Sequence, residues 1–131
     1  MSDQIRQPSE ILIAQREPFL LRVLERGLGA RDRKLVAMMD GQQVLDRVRV
    51  NPPSVLIVDL DLAPMGGEEL CRRLQTEVPQ REFLTCVLTH SAEDQYGNFS
   101  EWFSNFRLME KPLSVGLLNR YINDQLSETA A

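Results

Sequence analysis

Two aspartates, Asp59 and Asp61, close an apolar run in the stretch SVLIVDLDLAP. Carboxylates delivered to the end of a greasy strand are costly to bury unless something pairs with them. Farther along, Thr89 and Lys111 each stand at the end of another apolar run. An acid, a hydroxyl and an amine brought together could bind or transfer a phosphoryl group. The aspartate would accept it, the threonine would donate to a phosphate oxygen, and the lysine would supply countercharge. Asp59, Thr89 and Lys111 are therefore the candidate catalytic residues. The single histidine, His90, sits beside Thr89 but has no identifiable partner in the sequence and reads as a rim side chain.

The elements that must position these groups alternate. Apolar runs at Ile11–Ala14, Leu35–Met39, Val55–Val58, Leu84–Leu88 and Phe106–Met109 read as five short strands. Between them lie helical spacings: Phe19, Leu20, Val23, Leu24 and Leu28; then Val44, Leu45 and Val48; then Leu70, Cys71 and Leu74. A last helix opens at Ser114, an N-cap residue, and is expected to bury Leu117, Leu118, Tyr121, Ile122 and Leu126. Strands each followed by a helix imply βαβ units and a parallel sheet covered on both faces. In such sheets chemistry gathers at the carboxyl ends of the strands. Those ends carry Gln15-Arg16-Glu17, Asp59 and Asp61, Thr89-His90, and Lys111.

Composition bounds the function. The 131 residues suit one domain, expected over 10–126 with loose ends at 1–9 and 127–131. A net charge of −4 and no dense basic cluster argue against a nucleic-acid surface. Cys71 and Cys86 fit no metal spacing and read as reduced core residues. The polar start MSDQIRQPSE and the lack of any membrane-length apolar run point to the cytoplasm. Arg31–Arg33 reads as a solvated loop.

With these residues in place, the chain resembles the receiver domain of two-component response regulators over essentially its whole length. Asp59 matches the phosphoacceptor, Thr89 the hydroxyl that reports phosphorylation, and Lys111-Pro112 the signature Lys-Pro. The separations, thirty residues and then twenty-two, suit that family, and Lys111 is one of only two lysines beside thirteen arginines. Pro64-Met65-Gly66-Gly67 is similar to the family's loop after the phosphoacceptor. The resemblance implies a flavodoxin-like α/β sandwich with strand order 2-1-3-4-5, a cis Lys111–Pro112 bond, and phosphorelay signalling with a sensor histidine kinase or another signalling protein as partner.

The departures matter as much. Receivers end the first strand with an acidic pair that helps hold Mg²⁺; here ILIAQREP puts Gln15 and Arg16 in those places. Mg²⁺ demands hard oxygen ligands, and an amide and a guanidinium replacing two carboxylates shift the pocket by about three charge units toward positive. A guanidinium ~6 Å from the ion would repel it by roughly 5 kcal/mol at an effective dielectric of ~20. Glu17 stands one residue too late to substitute. No cofactor is therefore expected, with Mg²⁺ weak at most and held by Asp59 and Asp61 if at all. Arg16 and Lys111 on either side of Asp59 should keep it ionised, with Arg16 paired to Asp59 or Asp61 or turned to solvent. Leu108 stands where receivers commonly carry the aromatic that moves with the hydroxyl.

Five of the eight aromatics, Tyr96, Phe99, Trp102, Phe103 and Phe106, lie within eleven residues. Phe99, Phe103 and Phe106 read as core filling, but five together are more than one side of a short helix buries, so Tyr96 or Trp102 is expected at the surface. Tyr96, Phe99 and Trp102 are the candidate interface residues. In receivers the fourth helix, fifth strand and fifth helix form a signalling and dimer face, so a homodimer through it is one expectation. The readings are an atypical receiver acting through protein contacts, an ordinary phosphorylatable receiver, and a haloacid-dehalogenase-like phosphatase. The last resembles DLDL alone, needs acids after Lys111, and finds only Asp124 and Glu128. A non-enzymatic signalling module is the expectation.

Overall fold

The computed structural model describes residues 8–61, 65–78, 82–90, 99–101 and 103–130. Five strands, β1 (Ser9–Ala14), β2 (Arg33–Met38), β3 (Val55–Asp59), β4 (Leu84–Thr89) and β5 (Phe106–Glu110), form one sheet in the order β2-β1-β3-β4-β5. Every pairing is parallel. The order reverses between β1 and β3, which is where such sheets open a cleft.

Helices α1 (Pro18–Leu28), α2 (Gly41–Val50), α3 (Gly67–Glu77) and a C-terminal helix (Val115–Ala130) cover the sheet. The strand pleat sends alternate residues to opposite faces. Leu12, Leu56, Val58 and Val87 thus meet Val44, Leu45 and Val48 of α2 and Leu70, Cys71 and Leu74 of α3. On the other face Ile11, Ile13, Ile57, Cys86 and Leu88 meet Leu24 and Leu28 of α1 and Leu118 and Ile122 of the C-terminal helix. β1, β3 and β4 are sandwiched between the two clusters, which is why their sequences run apolar rather than alternating.

Several helical expectations are corrected at their ends. Phe19 is 71% exposed, because it lies in the first turn of α1 and five residues before Leu24, about 140° round the helix from the buried Leu24–Leu28 stripe. Leu117 is 38% exposed, one position off the buried Leu118–Ile122 stripe. Ser114 does cap the last helix, its hydroxyl accepting from Leu117 N at 3.2 Å, and that helix runs to Ala130, past the expected boundary at 126. Arg33 is no loop residue. It begins β2, and its guanidinium donates to the carbonyl of Leu28 at 2.8 Å, to Asn119 Oδ1 at 2.7 Å, and to Asn123.

Cys71 and Cys86 are buried thiols on opposite faces of the sheet. Burial pushes the Cys86 thiol up to about 12 despite the nearby charge of Arg107, so it stays protonated at neutral pH. No described helix is long and apolar enough to cross a membrane.

Candidate functional site

Backbone bonds just past the strands' carboxyl ends join β1 to β2, β3 to β4 and β5 to β4. Gln15 N donates to Met38 O at 3.1 Å, Leu60 N to Leu88 O at 3.1 Å, and Lys111 N to Thr89 O at 2.8 Å. These bonds set the loops that carry the candidate residues. The Lys111–Pro112 peptide is cis.

Asp59, the last residue of β3, is 3% exposed. Its Oδ1 accepts from Asp61 N at 2.9 Å and from Lys111 Nζ at 3.0 Å. Its Oδ2 accepts from Gln15 Nε2 at 2.8 Å and lies 2.8 Å from Lys111 Nζ. Burial alone would raise the carboxyl pKa. The hydrogen bonds from Lys111, Asp61 N and Gln15, with the lysine charge, outweigh it and hold Asp59 below its ordinary value. Burial likewise opposes the Lys111 charge, but the bonds and charges of Asp59 and Asp61 raise it above the usual lysine value. The pair is therefore ionised at neutral pH.

Asp61 is exposed, with Lys111 Nζ at 3.2 Å and His90 Nε2 at 3.4 Å from its Oδ2. His90 thus has a partner that sequence could not supply, though both groups are largely solvated. Thr89 is buried at the end of β4, on the same rim. Leu108 is half-buried against the core that holds Val87. Arg16 is exposed and turned to solvent, lining an open cleft with Gln15, Glu17, Pro18, Asp59, Asp61 and Lys111.

The residues after β1 do more than replace acids. Gln15 is buried and uses both ends of its amide: Nε2 reaches Asp59, and Oε1 accepts from Arg16 N at 3.0 Å and Glu17 N at 2.9 Å. A carboxylate only accepts and a backbone N–H only donates, so the amide can sit in no other orientation. Glu17 caps α1, its oxygens accepting from Phe19 N at 3.0 Å and Leu20 N at 2.7 Å. In the sequence Glu17 reads only as a late metal ligand, yet an acid directly before Pro18 is a helix-start pattern.

The match to the family description "Response regulator receiver domain" spans residues 11–123. The chain belongs to that family. Solved receivers share the fold at low identity. The Francisella response regulator receiver domain superposes with a TM-score of 0.76 at 16% identity, covering 92% of this chain and 98% of its own. A sensor protein from Polaromonas superposes with a TM-score of 0.76 at 25% identity, covering 94% and 98%. The receiver domain of a Pseudomonas aeruginosa sensor histidine kinase, solved with a magnesium ion in its active-site cleft, gives 0.72 at 18% identity, covering 92% and 98%. No curated protein matches this chain.

Measured against a receiver's magnesium site, the donors here do not fit. Gln15 presents its NH₂ toward Asp59 and its oxygen to the backbone, Arg16 brings a positive charge, and Glu17 is committed to its cap. Asp59 and Asp61 remain, sharing Lys111. Among the described residues no group of three or more His, Cys, Asp or Glu side chains could hold a metal. Asp124, the acid a dehalogenase-type site would need, is on the C-terminal helix beside a different pocket with Leu84, Asn105 and Arg107.

One interface expectation is corrected. Phe99 is fully buried, packed on Phe103 with ring centroids 6.1 Å apart and joined to the core with Val87. Residues four apart in a helical turn share a face, and here that face is the core. Tyr96 and Trp102 lie outside the described residues.

Proposed function

We propose that this domain is an atypical cytoplasmic receiver. In this reading magnesium-dependent phosphorylation of Asp59 is weak or lost, and the domain works in phosphorelay signalling through protein–protein contacts. One observation carries the reading: where a receiver's acidic pair would stand, Gln15 turns its amide NH₂ onto Asp59 Oδ2, while Lys111 supplies the countercharge at both carboxylate oxygens. A metal ion would have to displace these contacts and would bring no carboxylate partners with it from the end of β1.

The partner is a sensor histidine kinase or another signalling protein. The surface we assign to it, or to a second copy, lies around β5 and the C-terminal helix. A second reading, an ordinary phosphorylatable receiver, draws on the Asp59–Lys111 contact and on Thr89 at the same rim.

Isothermal titration with Mg²⁺ separates the two. The atypical reading expects no specific heat. Millimolar or tighter binding that disappears in Asp59→Asn would restore the ordinary reading.

A further inference from the structure

The cleft over Asp59 carries one cation that the fold leaves unspent. Lys111 is occupied by Asp59 and Asp61. Arg16 lines the same cleft, is exposed, and its guanidinium makes no ion pair or hydrogen bond among the described residues. Its root is nonetheless fixed. Gln15 Oε1 accepts from Arg16 N at 3.0 Å, and the other end of the same amide holds Asp59 at 2.8 Å. One buried amide thus ties the acceptor to the base of a free guanidinium.

We infer that Arg16 receives the phosphoryl oxygens in this pocket, so that the cleft takes a phosphoryl group from a small acyl phosphate without a divalent cation. The inference rests on the reading that the magnesium half of the pocket is lost. Asp59 is ionised, so attack needs no proton removed. One carboxylate oxygen bonds to phosphorus, the phosphorus–oxygen bond to the acyl group breaks, and acetate leaves with the bonding pair. The products are an aspartyl phosphate and acetate. The bound group carries nearly two negative charges in place of one. Lys111 moves from the carboxylate onto one phosphoryl oxygen, and the planar fork of Arg16 takes two others.

The test is acetyl phosphate labelling followed by intact-mass spectrometry, in EDTA and in Mg²⁺, on the wild-type chain and on Arg16→Gln, Arg16→Lys and Asp59→Asn. The wild type should gain one phosphoryl group at the same rate in both buffers, and Asp59→Asn none. Arg16→Gln should slow labelling about tenfold or more, as loss of a charge-stabilising donor does, with Arg16→Lys between. Arg16 is exposed, so circular dichroism should report unchanged folding in its variants. Equal labelling of wild type and Arg16→Gln in EDTA overturns the role of Arg16. No labelling in either buffer overturns the inference but leaves the atypical reading standing. Labelling that requires Mg²⁺ overturns both.

Discussion

Gly67 and Asp59 meet backbone to backbone: a Cβ on residue 67 would lie 2.5 Å from the carbonyl oxygen of Asp59 and 2.6 Å from Leu60 Cα. The contact lets Gly67 N donate to Leu60 O at 3.2 Å and lays the first turn of α3 directly against the loop that carries the acceptor. Gly67→Ala should therefore destabilise the domain by about 1–3 kcal/mol, since backbone on both sides must shift. Gly116→Ala is the matched control, with open space around its Cβ in the C-terminal helix. It should be neutral or stabilising by up to about 1 kcal/mol. Urea denaturation of both variants checks the pair.

The buried hydroxyl of Thr85 is the one buried side-chain polar atom without a hydrogen-bond partner among the described residues. Thr85→Val keeps the shape and removes the orphaned group, so it should stabilise by about 1 kcal/mol. A midpoint that falls instead would mean that the hydroxyl has a partner in solution.

Linkage sets the pH dependence. Asp59 is held below its unfolded value of 3.8, so its contribution to stability is fully present above that pH and is lost as pH falls through the lowered folded value. Lys111 is held above 10.5, so its contribution is fully present below that pH and is lost as pH rises through the raised value. The stability difference between wild type and Asp59→Asn should be flat across neutral pH and shrink under acid. Carbon-detected NMR titration of the Asp59 carboxyl should give a midpoint under 3.8.

Placing acids at the end of β1 tests the reading that this pocket holds Mg²⁺ weakly or not at all. Gln15→Glu with Arg16→Asp returns two carboxylates to the end of β1 and removes the guanidinium. The double variant should gain a Mg²⁺ binding heat absent from the wild type. Gln15→Glu alone should raise the Asp59 pKa by placing a second carboxylate beside it. It should also cost about 1–3 kcal/mol of stability, because the Gln15–Asp59 bond becomes a repulsion.

Much of this architecture is legible in the residue pattern. The runs at Ile11–Ala14, Val55–Val58 and Leu84–Leu88 are strands because burial on both faces leaves no room for polar alternation. Asp59 and Lys111 meet because both lie at carboxyl ends of parallel strands. What pattern could not reveal was how side chains at loop positions are shared out. Gln15 reads as a missing acid, yet its amide is a strut between Asp59 and two backbone donors. Phe99 reads both as core filling and as part of an interface cluster, because residue type does not say which face of a short helical turn meets the core; the structure buries it. Arg33 reads as solvated because its acceptors, Asn119 and Asn123, are more than eighty residues away in the chain.

That arginine also joins the two helices of one face, α1 and the C-terminal helix, into a single plate. It clasps the carbonyl at the end of α1 and two side chains one turn apart on the C-terminal helix, while Asn119 Nδ2 donates to Gly27 O at 3.2 Å. The clasp lies at the end of α1 farthest from the cleft, whose wall includes Pro18 at the helix start. A partner that tilts the C-terminal helix must carry α1 with it, so the far surface and the mouth over Asp59 move as the two arms of one lever.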